Sequence, residues 1–418
     1  MKSYRRPNGY VLVLIILSLA WANARSQEVL RVPAEKETLA QRLDWARSAA
    51  KTNPSLRNGY WIGYSIQRYM HEGSRMGWSG SSDRDIPTLQ EILSGVGPAG
   101  SDAAQERKML SVVQKELQSA SADKKERQKV LKEVGLLFRY PSSDAAMADF
   151  DEVHMSTLDC LVDLKGRPLV WLGTVKDAES IPFLDKLYEG SYRDKGKRGL
   201  MAAVSMHDTK SLVIPCLKKY VTEEDNVELR CQAVFWLAQQ DHRDAFEILK
   251  NVVRNDTSSK VREDTVFWIG QKAKTDDLIE VVETVALKDA VREVRKKAVF
   301  ALSQVPDERG VESLIRIART EKDLATRKEA IFWLSQKASK RAMESLEEIV
   351  FDAEHTELQE RAVFAISQWP KDQSIPALSK ICREHRNPKI RKKAIFWLGQ
   401  TGDPRAVDTL AEILKKSQ

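Results

Sequence analysis

From about residue 161 to the C-terminus, apolar and polar positions recur as a phrase. It reads Ala-Val-Phe-Trp-Leu-Ala-Gln at 233–239 and Thr-Val-Phe-Trp-Ile-Gly-Gln at 265–271, and it returns at 298–304, 330–336, 362–368 and 394–400. The central residues, Phe235, Phe267, Phe300, Phe332, Phe364 and Phe396, lie 32 or 33 residues apart. Counting back from Phe235 reaches a degenerate copy at Ala203, with Arg198 and His207 in register. A further step reaches Val170, where Trp171-Leu172-Gly173 matches the Trp-Leu-Gly of the last copy. Eight units from about Leu161 are therefore expected, the first two diverged. Each unit reads as two helices: Ala406, Val407, Leu410 and Ile413 mark the apolar face of a first helix, and 390–400 is a second. Turns such as Thr401-Gly402-Asp403-Pro404 separate them, with proline suited to a first helical turn. Two helices in a period of this length predict an α-solenoid, in which each pair buries its apolar face against its neighbours.

The second helix opens with an aliphatic residue and arginine at Val261-Arg262, Val294-Arg295 and Ile390-Arg391. Ala, an aliphatic residue and a small or Trp residue before Leu follow. With that pattern the units resemble HEAT repeats, particularly the short HEAT-like type of the phycobilisome lyases. The resemblance implies a mainly α chain, a HEAT-like superhelix with its second helices on the concave surface, and binding of other macromolecules; it says little about activity. Deoxyhypusine hydroxylases are HEAT-like enzymes that hold iron with His-Glu pairs inside their helices, and no such pair occurs within these repeats. Bilin lyases and DNA-binding HEAT-like glycosylases are further enzymatic analogies, and both conflict with the export signal described below.

On a helical wheel centred on Thr265, Val261, Trp268 and Ile269 fall within about 60° and form the buried face, while Phe267 near about 200° and Gln271 near about 240° point away. A position expected to be exposed thus holds Phe in six consecutive units, and Gln239, Gln271, Gln304, Gln336, Gln368 and Gln400 follow four residues later. The position three residues before each Phe varies freely: Gln232, Asp264, Lys297, Glu329, Arg361 and Lys393. Two readings stand open. In one, Phe packs sideways between successive second helices and Gln bonds to neighbouring backbone or to the next Gln. In the other, the two rows form an apolar, amide-bearing groove for an extended peptide, a helix or a glycan strand. The candidate binding residues are these twelve side chains and His207, which occupies the Gln position of the degenerate copy. His207 is either a pH-sensing or ligand-contacting group or an accommodated polar substitution.

Arg198, Arg230, Arg262, Arg295, Arg327 and Arg391 also recur. Asp225, Asp256 and Asp289 precede three of them by five or six residues, where an Asp–Arg bond across the inter-repeat turn would tie adjacent units, a ladder that the HEAT resemblance also implies. The unit of Phe364 has Gln359 at this position, so the linkage is expected to be missing there. Trp236, Trp268, Trp333 and Trp397 are expected to pack at the edge of the buried face.

The preceding region, 25–152, reads as a small α+β or mainly α domain. It predicts a helix over 37–51, a strand over 59–66, a Gly/Ser loop over 73–82, an apolar helix from about Ile86, a helix over 108–117, a polar connection over 119–128 and a strand over 136–140. Gly77-Trp78-Ser79-Gly80-Ser81 lacks the closing glycine of a nucleophile elbow, and His71-Glu72 lacks a second histidine four positions on, at Arg75. Before this region, Lys2, Arg5 and Arg6 precede an apolar run over 11–21 and small residues at Ala20, Ala22 and Ala24, the pattern of a secretory signal peptide over 1–24. The run is shorter than a bilayer-spanning helix needs, which disfavours a permanent anchor.

Charge then narrows the partners. The chain carries 67 Lys and Arg against 60 Asp and Glu; loss of Lys2, Arg5 and Arg6 with the signal leaves 64 against 60, a net +4. That is too mild and dispersed for nucleic acid. Cys160, Cys216, Cys231 and Cys382 could form up to two disulfides in an oxidising compartment, and none has metal-site spacing. No residue set supports catalysis, a metal or a cofactor. The expected protein is a periplasmic or secreted, non-catalytic scaffold with a solenoid over 153–418. Its expected partner is a protein or peptide, with a glycan as another class, no nucleic acid, and no membrane span once the signal is cleaved. The alternative is an envelope enzyme whose N-terminal domain acts on a peptide or glycan polymer while the solenoid recruits it.

Overall fold

The computed structural model describes residues 27–77, 86–95 and 128–416, apart from positions 274, 307 and 338. The signal segment 1–24, the helix expected over 108–117, Ser79 of the elbow-like motif and nearly all of the polar connection lie outside the described residues. The chain divides into two compact units between residues 217 and 218.

The first unit is built on a five-stranded mixed sheet. Its strands are β1 (Val29–Arg31), β2 (Tyr60–His71), β3 (Lys129–Tyr140), β4 (Glu152–Thr157) and β5 (Leu169–Thr174), in the order β1-β5-β2-β3-β4. β5 runs parallel to β1 and β2, while β2 pairs antiparallel with β3, and β3 with β4. β2 is buried along its first seven residues because both faces are covered. One face carries Tyr60, Tyr64 and Phe138, with Tyr60 stacked on Tyr140 at 5.4 Å and Tyr64 on Phe138 at 6.1 Å. The other packs Trp61, Leu137 and Trp171 against Leu89 and Ile92 of the short helix α2 (Leu89–Ser94). Gly63 is required between them: a Cβ there would lie 2.3 Å from Leu137 Cδ2 and 3.2 Å from the Trp171 ring. α1 (Leu39–Thr52) begins at a capping box between Thr38 and Gln41 and buries Leu39, Leu43 and Ala46. The expected helix at 37–51 and strands at 59–66 and 136–140 are therefore present, the strands longer than their apolar cores.

The start of the repeat array needs correction. Residues 169–174, expected to carry the repeat phrase of the solenoid's first unit, form β5. A strand buried on both faces reads as an unbroken apolar run, as a helix core does, so Trp171-Leu172 mimics the repeat phrase. Gly173 adopts φ 79° at the end of the strand. The sheet thus extends past residue 152, where the first domain was expected to end, and helix pairing begins with α3 (Asp177–Gly190) and α4 (Asp194–Ser205). α4 lies on β4, where Gly199 leaves Val153 Cβ only 2.8 Å from the place of a Cβ. α5 (Lys210–Glu223) follows, spanning the division between the units.

The second unit consists of alternating first and second helices. The second helices are α6 (Val227–Gln239), α8 (Ser259–Lys272), α10 (Arg292–Ser303), α12 (Leu324–Ser335), α14 (Thr356–Ser367) and α16 (Pro388–Gln400). The first helices are α7 (Arg243–Asn255), α9 (Asp276–Lys288), α11 (Glu308–Thr320), α13 (Lys340–Asp352), α15 (Lys371–Glu384) and α17 (Pro404–Lys416). Within the second unit the described residues form five first-and-second helix pairs, from α7 with α8 to α15 with α16, flanked by α6 and α17. Side-chain caps at Asn226, Asp323 and Asn387 start three of the second helices. Second helices of successive pairs pack against one another more extensively than first helices do. The mainly α solenoid is the architecture the periodicity predicts, and of the two expectations for the preceding region, α+β or mainly α, the α+β one is found.

Candidate functional site

The Phe row is a set of rungs between helices. Phe235, Phe267, Phe300, Phe332 and Phe364 are half-buried, and only the last, Phe396, is exposed, at 53%. Phe235 meets Trp268 of the next second helix at 4.9 Å, Phe300 meets Trp333 at 4.9 Å, and Phe364 meets Trp397 at 5.2 Å. Each of these tryptophans also contacts the Phe before it in sequence, at 5.0 Å. The wheel of a single helix turned Phe away from that helix's own buried face, but the adjacent helix covers it. Sideways packing is thus the arrangement found.

Two units carry Ala in place of Trp, at Ala301 and Ala365, and there the rungs change. Gly270 and Ala301 bring α8 and α10 together so closely that a Cβ on Gly270 would lie 2.6 Å from Ala301 Cβ. Phe267 and Phe300 then stack on each other, 6.1 Å apart and 3° from parallel, and Lys297 Nζ lies over both rings at 5.0 and 5.6 Å. In the other Ala unit Arg361 lies over Phe332 and Phe364 at 5.3 and 5.6 Å. In a Trp unit, by contrast, Glu329 accepts the Trp333 indole N–H at 2.9 Å. The position read from sequence as varying freely is therefore tied to its neighbour: a cation covers the rings where Trp is missing.

The Gln row does not form a Gln-to-Gln ladder among the described residues. Gln304, Gln336 and Gln368 each donate to the preceding serine, at 3.0–3.1 Å, and that serine donates to the carbonyl of the unit's own Phe. Gln239 is half-buried; Gln271, Gln304, Gln336, Gln368 and Gln400 are exposed.

Three of the recurring arginines, Arg230, Arg262 and Arg295, each clasp two units at once. Arg262 directs Nη1 to the Asp256 carbonyl of its own unit (2.8 Å) and Nε and Nη2 to the Asp289 carboxylate of the next (2.8 and 3.1 Å). Arg230 does the same with the Glu224 carbonyl and the Asp256 carboxylate, and Arg295 with the Asp289 carbonyl and Asp323. Hydrogen bonds from Thr326 and Arg295 hold the Asp323 carboxyl down at about 2. The carboxylate partner thus comes from the following unit; the aspartate five or six residues upstream of each arginine offers only its backbone carbonyl. Gln359 keeps the carbonyl bond, to Ala353, and has no ion pair among the described residues. One unit later His385 stands in the carboxylate position and bonds the Val350 carbonyl at 2.9 Å.

His207 is not on the binding face. It is fully buried in the first unit, with Nδ1 2.9 Å from the Ala203 carbonyl and Nε2 2.8 Å from Ser180 Oγ. Because a carbonyl only accepts, Nδ1 carries the proton, and Nε2 accepts from Ser180, whose oxygen lies 2.8 Å from the buried Tyr64 hydroxyl. Burial lowers the His207 pKa and pushes that of Tyr64 far up. The relay is satisfied and closed to solvent, which removes His207 from the candidate binding residues. A single sequence gave no sign of it, since its three members lie 27 to 116 residues apart in pairs. Among the described residues all four cysteines are free thiols. His71 ends β2, and Arg75 pairs with Asp159 at 3.1 Å.

No curated protein matches the chain in sequence. Among solved structures, human deoxyhypusine hydroxylase is 16% identical, covering 57% of this chain and 94% of its own, with a TM-score of 0.27. The complex of CpcE and CpcF of phycocyanin lyase from Nostoc sp. is 13% identical, covering 58% and 94%, with a TM-score of 0.27. A Kap95p–RanGDP structure is 13% identical, covering 56% and 36%, with a TM-score of 0.35. The sequence profile of HEAT repeats matches residues 246–335 and 343–418, the stretch in which the aromatic rungs and arginine clasps recur, and this part of the chain carries HEAT repeats.

Proposed function

We propose that this protein is a non-catalytic scaffold that binds a protein or peptide along the second-helix side of residues 227–400. The observation that carries the reading is the register of the exposed row: five of the six glutamines face solvent on the second-helix side, four of them beside a half-buried phenylalanine rung. Such a face offers amide donors and acceptors at one interval per unit, a pattern suited to an elongated partner. The N-terminal pattern supports delivery to the periplasm or the secreted fraction, where N-terminal sequencing should find a mature chain beginning at Asn23 or Arg25.

The test is a cross-linking pull-down with the full chain and a Gln304→Lys, Gln336→Lys, Gln368→Lys variant, whose substitutions sit on exposed side chains and leave the rungs intact. Loss of partners with unchanged melting supports the reading. Retention of every partner by the variant would place recognition elsewhere.

A further inference from the structure

Lys297 and Arg361 differ from the other charged groups of the second helices. Both are half-buried and covered by two phenylalanine rings, and among the described residues neither has a carboxylate partner. The acids nearest them in sequence are engaged: Glu293 with Lys296 at 3.3 Å and Glu360 with Lys389 at 2.7 Å. A cation held against aromatic faces keeps part of its charge uncompensated, since the ring quadrupole attracts it more weakly than a carboxylate would. The same rings shield the site from water and strengthen any further ionic contact. Each Ala unit therefore presents a preformed, aromatic-walled cationic socket.

We infer that these two sockets bind carboxylates of an acidic, extended peptide segment. The inference rests on the second-helix side being a partner surface, and it names the class of partner. The sockets lie two units apart; with packed helices about 8–10 Å from axis to axis, the span is roughly 20 Å, or about six residues of extended chain. Discrete cations at that interval, separated by Glu329 on the intervening second helix α12, suit spaced carboxylates. They do not suit nucleic acid, whose phosphates would need a continuous basic track.

The test is fluorescence anisotropy on the full chain with labelled poly-L-glutamate of about 20 residues. Poly-L-lysine and single-stranded oligothymidylate of the same length serve as comparisons. Poly-L-glutamate should bind preferentially and weaken with added salt. A Lys297→Met, Arg361→Met variant, which keeps apolar volume between the rings while removing charge, should lose at least tenfold in affinity without a change in melting. A Lys297→Arg, Arg361→Lys variant should recover it, and Lys392→Gln, Lys393→Gln, which removes two exposed lysines elsewhere on the face, should change it less than twofold. The inference is overturned by absence of poly-L-glutamate binding, by tighter binding of the oligonucleotide, by full affinity in the Met variant, or by an equal loss in the Lys392/Lys393 variant. If the glutamine triple variant loses its cellular partners while poly-L-glutamate fails to bind, the scaffold reading survives and the acidic class falls.

Discussion

Arg262 serves two units with one side chain, and its planar fork is the reason. One edge meets a carbonyl behind it and the other a carboxylate ahead, with both charged partners mostly buried. Arg262→Ala leaves Asp289 without its cation and is expected to lower unfolding free energy by about 3 kcal/mol in urea titrations. Arg262→Lys should recover less than half, because an ammonium cannot span both contacts. His207 sets a pH dependence in the first unit. Its folded pKa lies below the ordinary 6.5, with Asp177 opposing the shift and Arg68 adding to it. The unfolded chain therefore binds the proton more readily, so the stability this histidine contributes is complete above about pH 6.5 and falls as pH drops below it. Half-buried His154 on β4 shifts the same way through burial. Urea midpoints between pH 7.5 and pH 5 should fall, and the decline should be shallower in His207→Gln. The recurring arginines were legible in sequence because spacing alone marks them. The direction of their carboxylate bonds was not, because an aspartate six residues upstream and one 27 residues downstream are equally consistent with the repeat.

At the scale of the helix, periodicity reported faithfully what a helix buries against its own pair and nothing about the next pair. That is why five of the six glutamines do face solvent, as the wheel placed them, while Phe267 was assigned to an outer face that α10 in fact covers. The rungs should not be equivalent. Phe396→Ala removes a ring that is 53% exposed and should cost less than about 0.5 kcal/mol. Phe267→Ala removes half of a stacked pair and the seat of Lys297, and should cost about 2 kcal/mol, measured by thermal unfolding. Substituting several inner phenylalanines together therefore tests stability before it tests binding. β5 shows the opposite limit: a short, fully apolar run carries no period, and its parallel pairing with β1 and β2 joins residues more than a hundred positions apart.

Across the second unit, stability should follow the sum of its neighbour contacts, and two seams lack an ion-pair clasp, those at Gln359 and at Arg327. Arg327 bonds only the Ala318 carbonyl at 2.8 Å among the described residues, and burial lowers its pKa. The position that would supply its carboxylate is Ala353, which caps α13 at φ −65° and ψ 133°, nearly the backbone of Asp289 at φ −62° and ψ 136°. Ala353→Asp should therefore add about 1 kcal/mol to the urea-derived stability, and in the wild type amide exchange should be faster in α13–α17 than in α7–α11. Because every clasp points the same way, a unit gives its guanidinium to the neighbour ahead and receives one from the neighbour behind. The array thus has the grammar of a head-to-tail polymer, with a distinct leading and trailing end. A duplicate of residues 259–291 spliced in after Val291 would meet Asp289 on one side and Arg295 on the other, satisfying both junctions, and the lengthened chain should melt no lower than its parent.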